Sequence, residues 1–346
     1  VQRPPEPDPQ RPAGQNPDLT ELIGTATVFA LPMVQRFRSI TVREGILLRG
    51  PRGWAEFAPF ANYDDAQCVP WLEAAVEAAT VGWPEPVRDL VPVNTTVPVV
   101  SPERATELVT ASGCTTAKIK VADPGSLLAE DADRVAAVRQ ALGSSGRIRV
   151  DANAAWSVPE AVEAIRVLDA AAGGLEYVEQ PCRTVEELAA VRRLVGVPIA
   201  ADESIRLAGD PMRVALAGAA DIAVVKVAPL GGVAAALRVA RATGLAVVIS
   251  SAVDSAVGLA AGLAAAGALP ELPYACGLGT ASLLAADVTG APDLPVNGSL
   301  AVPRRAPEPV ALADHLADDD TRQRWLDRLN RVAGLLARRS AASGAE

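Results

Sequence analysis

Short apolar runs alternate with amphipathic stretches along most of this chain, beginning near Val97. The runs fall at 97–100, 117–122, 147–153, 177–181, 198–204, 222–228, 246–251 and 273–277. Between them, apolar residues recur every three or four positions, as in PEAVEAIRVLDAAAG and VAAALRVARATG. That is the spacing of one buried helix face. Several stretches end in Gly, which closes a helix without a Cβ penalty. Apolar strands alternating with helices predict a parallel sheet covered on both faces and joined by right-handed crossovers. About eight strands in roughly 180 residues fit a closed α/β barrel. An open doubly wound sheet is the alternative, but no GxGxxG follows the first strand.

Ahead of the barrel the pattern differs. TATVFALPMV, ITVREGILLRG and GWAEFAPF read as strands joined by turns, and WLEAAVEAAT as a helix. Strands followed by a helix predict a small α+β domain. The expected divisions are a disordered tail over 1–18, the α+β domain over 19–96, and the barrel over 97–295. A C-terminal segment over 296–346, polar and helical, is expected to fold back on the small domain.

Composition narrows the function. Half of the residues are hydrophobic but only 3% aromatic, which suits an Ala-, Val- and Leu-filled interior. A net charge of −9 argues against nucleic acid and anionic membrane surfaces. It leaves room for a small anionic substrate, which local cations can hold. Cys68, Cys114, Cys182 and Cys276 form no CxxC pair and read as buried thiols rather than a zinc site or disulfide framework. No apolar signal segment opens the chain, and no apolar stretch is long enough to span a membrane, so a cytoplasmic enzyme is expected.

The candidate chemistry lies at the strand ends. The chain has 29 arginines but only three lysines, Lys118, Lys120 and Lys226, and all three fall in strand-like runs. Arginine stays charged at any usable pH, whereas lysine can give up its proton when crowded or buried. Lys118 and Lys120 are two apart and share a strand face. Asp151 with Asn153, Glu179, and Asp202 with Glu203 end the next three strands; Ser250 and Ser251 end the seventh. Three acids on successive strand ends suit a hard divalent cation such as Mg²⁺. Lysines beside a metal-held carboxylate can remove an α-proton, with the metal and a second cation stabilising the enediolate. Neighbouring cations are expected to lower the base's pKa. The lone histidine, His315, sits in an acidic tail, which argues against His-based catalysis.

KIK (118–120), VDAN (150–153), VEQP (178–181), ADES (201–204) and VVK (224–226) stand in the order of the enolase superfamily, and the chain resembles its muconate-lactonizing subgroup. The resemblance covers about residues 20–300. It implies a modified TIM barrel, (β/α)₇β, with an N-terminal α+β capping domain. It also implies Mg²⁺, with Mn²⁺ as substitute, on Asp151, Glu179 and Asp202, and Lys120 facing Lys226 across a small carboxylate substrate. LPMVQRFRSI, GWAEFAPF and SSAVDSAVGLAAG most resemble the o-succinylbenzoate synthase family of the menaquinone pathway, in its high-Arg, high-Ala actinobacterial form. In that family's reaction Lys120 would be the base, Lys226 the stabilising cation, and Lys118 would tune Lys120 or contact the carboxylate. Asn153, Ser250, Ser251 and Arg38 would bind substrate, and Glu203 would lie behind the metal ligands. Asp254 would contact the succinyl arm or cap a helix. Arg36 shares Arg38's alternatives of loop closure or a solvated face. Phe57 and Phe60 would roof the pocket or fill the core. N-acylamino acid racemase, dipeptide epimerase and muconate cycloisomerase share the lysine pair and stay open; a dipeptide epimerase would need an acid near 275–280, and PYACGLGT has none. A non-catalytic barrel would not need the full set.

Overall fold

In a computed structural model, residues 19–37, 40–206 and 212–343 are described. The expected tail over 1–18 and Arg38 lie outside them. The N-terminal domain runs α1 (Leu19–Ile23), β1 (Thr27–Phe37), β2 (Ile40–Gly50), β3 (Gly53–Phe57) and α2 (Asp65–Thr80). Its three strands form an antiparallel sheet in sequence order. The sheet and α2 enclose a core that includes Phe57, Trp71 and Leu72.

The second unit runs β4 (Leu90–Val97), α3 (Pro102–Ser112), β5 (Thr116–Lys120), α4 (Leu128–Leu142), β6 (Arg147–Asp151), α5 (Val158–Ala172), β7 (Tyr177–Glu179), α6 (Val185–Leu194) and β8 (Ile199–Ala201). It continues through α7 (Glu203–Arg206), α8 (Met212–Leu216), β9 (Ile222–Lys226), α9 (Val227–Leu230), α10 (Val233–Thr243), β10 (Ala246–Ser250), α11 (Ala256–Ala268) and β11 (Cys276–Gly279). β4 to β11 pair in parallel, each with the next, and β11 pairs back on β4 to close the barrel. Helices fill the seven crossovers and, among the described residues, no eighth barrel helix follows β11, which is the (β/α)₇β pattern. A short strand, β12 (Ser299–Ala301), adds antiparallel to β4.

Local chemistry sets the helix ends. Ser101 caps α3 by accepting from the Arg104 N–H, and Gly113 ends it at φ 63°. Thr184 and Glu187 form a capping box on α6. Each such cap stabilises by about 1 kcal/mol.

Strand alternation positions the site. Ile148 and Val150, Val178, Ala223 and Val225, and Ile249 face outward into the helix-side core. The residues between them therefore face the axis. On β7, β8, β9 and β10 they are Tyr177, Ala200, Ile222, Val224 and Val248, packed together low in the barrel. The last inward position of each strand carries the polar residue: Lys120, Asp151, Glu179, Lys226 and Ser250. Asp202 follows Ala200 at the same spacing.

The C-terminal helix α12 (Asp319–Ser343) returns to the N-terminal domain. Trp325, Leu329 and Val332 join the core of Phe57 and Trp71, and the Trp325 ring meets Phe57 edge-on at 6.3 Å.

Two elements differ most from expectation. The first barrel strand occupies 90–97 rather than 97–100, because Pro92 and the Asn94, Thr95, Thr96 run break its apolar signal. α2 begins at Asp65 rather than near Trp71, because Pro70 reads as a helix breaker but is accommodated inside the helix. Asp64 and Gln67 form the capping box that starts it.

Candidate active site

A cavity of about 520 Å³ opens at the C-terminal ends of the barrel strands. Its floor holds Lys118, Lys120 and Lys226, and its roof holds Phe37, Phe60, Tyr63 and Trp71 from the N-terminal domain. The three lysines are 6–8% exposed, and Asp151, Glu179 and Asp202 are fully buried.

The amines lie on the carboxylates. Lys118 Nζ donates to both oxygens of Glu179 at 3.1 Å and stands 3.7 Å from Asp151. Lys120 Nζ makes a very short contact with Asp151 Oδ2 and donates to Asn153 Oδ1 at 3.0 Å. Lys226 Nζ donates to Asp202 Oδ2 at 2.5 Å. Lys118, Lys120, Asp151, Glu179 and Asn153 thus share one network of contacts, and Lys226, seated on Asp202, lines the same cavity. Asn153 takes φ 47°, and its N–H donates to Asp151 Oδ1 at 3.0 Å.

Burial pushes Glu179 up to about 7, aided by Asp151 and Asp202 and opposed by Lys118. Burial would raise Asp202 too, but Lys226 and Arg206 outweigh it and hold that carboxyl below the usual range. Lys118 feels two opposed effects. Burial pulls it down, but Glu179 and Asp151 overcome this and raise it. Crowding by cations can lower an amine only once its carboxylate partners are neutralised.

Among the described residues no three His, Cys, Asp or Glu side chains converge closely enough to share an ion; each of these carboxylates is turned onto a lysine. Their chemistry nonetheless fits a hard dication. They are three buried oxygen donors on adjacent strands, with Asp151 and Glu179 paired in register, and their mutual repulsion is what a dication relieves.

The remaining expected residues divide. Ser250 and Ser251 line the cavity, with Ser250 Oγ donating to Gly277 O at 3.3 Å and Ser251 Oγ 2.6 Å from Thr280 Oγ1. Glu203 pairs with Arg206 at 2.6 Å, beside the Asp202 end of β8. Phe60 roofs the cavity, whereas Phe57 is core. Asp254 does not cap α11; Ser255 does. Asp254 borders a second space behind Lys226 instead. Arg36 is exposed, and His315 lines neither space. Gly231 and Gly232 sit at φ 93° and 117°, where the Glu77 carboxylate from α2 accepts the Val233 N–H at 2.6 Å. All four cysteines are free and buried.

Several site residues are not evident from strand-end reading. Arg206 donates to Asp202 Oδ1 at 3.0 Å and makes a short contact with the Tyr63 hydroxyl, tying barrel to roof. Gln180 Oε1 accepts the Asp202 N–H at 2.9 Å. The signal for Gln180 was its place in VEQP; for Arg206 it was the i,i+4 spacing from Asp202.

Comparison with known proteins fits this geometry. Residues 101–307 match the family described as enolase C-terminal domain-like, and residues 28–79 match enolase N-terminal domain-like. The chain belongs to the enolase superfamily. The o-succinylbenzoate synthase of Thermobifida fusca is 62% identical over 81% of this chain and 88% of that protein. That of Mycolicibacterium smegmatis is 54% identical over 90% and 96%. Such relatives make this superfamily member an enzyme of the carbon–oxygen lyase class. Among solved structures, a muconate lactonizing enzyme from Pseudomonas fluorescens superposes with a TM-score of 0.70 at 20% identity, covering 87% and 97% of the two chains. An L-Ala-D/L-Glu epimerase from Bacillus subtilis gives 0.69 at 24%, covering 80% and 95%. These two share the fold. No helix among the described residues is long and apolar enough to cross a membrane.

Proposed function

We propose that this enzyme dehydrates 2-succinyl-6-hydroxy-2,4-cyclohexadiene-1-carboxylate to o-succinylbenzoate. The reading rests on one observation: Lys120 and Lys226 line a single roofed cavity, each seated on a buried carboxylate. The name of the relatives supplies the substrate.

Asp151, Glu179 and Asp202 would hold Mg²⁺, or Mn²⁺ in its place. Bound there, the dication supplies Lewis-acid stabilisation of negative charge on the substrate carboxylate, worth several kcal/mol. Lys120 takes the proton from the carbon α to that carboxylate, and the C–H electron pair moves into the enediolate. The same amine, now an ammonium, returns the proton to the hydroxyl leaving from the same face. One water departs and the ring becomes aromatic, so atoms balance without a further reactant. Lys226 stays protonated across the cavity and offsets the enediolate charge. Lys118, between Glu179 and Asp151, orients both acids. Phe37, with Lys120 Nζ 5.6 Å from its ring centroid, and Phe60 exclude bulk water from the reacting face.

The test is a paired assay on purified protein: dehydration of the cyclohexadiene with Mg²⁺ and after chelation, and racemisation of N-succinyl amino acids. Chelation is expected to abolish a dehydration that exceeds racemisation. Faster racemisation would overturn the assignment.

A further inference from the structure

Two buried polar groups in the cavity wall have no partner among the described residues. Among the described residues, Thr96 Oγ1 and Trp71 Nε1 are buried without a hydrogen bond, and both side chains line this space. Thr96 stands on β4 beside Lys118, whereas Trp71 comes from α2 in the roof. Trp71 is 2% exposed, and an indole nitrogen can only donate. Buried donors almost always have an acceptor. One without a partner in a ligand cavity points to an acceptor that arrives with the ligand.

The ring is braced. Phe60 and Tyr63 meet it edge-on at 6.3 and 6.0 Å. Trp71 also borders the second space, of about 540 Å³, whose α2 wall is the small side chains Ala74, Ala75 and Ala78. This second space adjoins the indole and is lined also by Lys226, Glu56 and Asp254.

Resting on the function proposed above, the ring carboxylate goes to the acid and lysine cluster, and the hydroxyl to Lys120. The acceptors left over are the ketone and the terminal carboxylate of the succinyl arm. We propose that the Trp71 indole N–H donates to one of them, which makes a capping-domain residue the group that selects substrates bearing the arm.

Trp71→Phe keeps an aromatic ring and removes the N–H. Isothermal titration in Mg²⁺ would compare o-succinylbenzoate with benzoate, which lacks the arm. The variant should bind o-succinylbenzoate about five- to twenty-fold more weakly, the loss of one hydrogen bond, and benzoate within twofold of the wild type. Equal losses for both ligands, or none for either, overturn the inference while leaving the activity assignment standing. Failure of the wild type to bind o-succinylbenzoate overturns the activity assignment and this inference together. Should the variant not fold, ¹⁵N-indole spectra of the wild type decide. One indole N–H signal is expected to move downfield with o-succinylbenzoate and not with benzoate; no such movement overturns the inference.

Discussion

On the proposed mechanism Lys120 and Lys226 do different work, and substitution would separate them. Lys120 contacts Asp151 and Asn153, the group through which a proton would leave the substrate. Lys120→Ala should cut turnover at least about a thousandfold, a large share of which is general-base catalysis. The folded state should persist, because its neighbours on the outward face, Ile119 and Val121, carry the packing. Far-ultraviolet circular dichroism beside the dehydration assay checks both halves, and near wild-type turnover would remove Lys120 from the role of base. Lys226→Arg keeps the charge but replaces a compact ammonium with a planar fork. Asp202 Oδ2 seats this amine at 2.5 Å while Arg206 holds the other oxygen, so a planar fork would compete with Arg206 for the carboxylate. A fall in kcat of about a hundredfold, with KM changed less, is expected. An unaltered kcat would show that the amine only supplies distant charge.

At the scale of elements, β3 ties the capping domain to the barrel through Glu56. Its carboxylate accepts the Ser255 N–H at 3.0 Å at the start of α11. Burial first, then Asp254, push it up to about 8, against Arg43 and Ser255. A carboxyl that holds its proton more tightly folded than unfolded contributes stability that is full below its unfolded value. That contribution is lost as pH rises from about 4.5 through about 8. Glu56→Gln should therefore flatten the fall of Tm between pH 5 and pH 9; parallel curves for variant and wild type would show that Glu56 does not titrate there. This tie was not visible in the sequence, and the reason is general. Apolar alternation marks residues that face the helices, such as Ile148, Val150 and Val225, so it locates strands. It fails where the outward signal is diluted, as on β4 with Pro92 and Thr95. The polar residues that break each run, Lys120, Asp151, Glu179 and Lys226, face the axis, and strand period alone gathers them. Tyr63 and Trp71 meet the site, and Glu56 meets α11, only through the docking of two units. No local spacing encodes that docking.

At the scale of the whole molecule, charge and closure come from different units. The barrel supplies the acids and amines, and the capping domain with α12 supplies the roof and its support. A cation bound by the barrel acids should therefore register in the unfolding of the chain as well as in turnover. Binding to the native state alone raises stability by about 2.7 kcal/mol at a hundred times Kd, a Tm rise of roughly 4 °C in a chain of this size. The lysine contacts to Asp151 and Glu179 have to be given up on binding, so the net affinity is lower than three free acids would give. Glu179 must also be ionised to serve as a ligand, and its own value is pushed up to about 7 by burial, then Asp151. The Mg²⁺-induced rise should thus be full above pH 7 and shrink as pH falls below it, because a proton then competes for the same carboxylate. Glu179→Gln should lose the rise at every pH. Differential scanning calorimetry with and without 10 mM Mg²⁺, from about pH 5.5 to 8.5, measures all of this. A wild-type Tm indifferent to Mg²⁺ throughout would refute the three-acid site, and a rise equal at both ends of the range would refute Glu179 as the titrating ligand while sparing the other two.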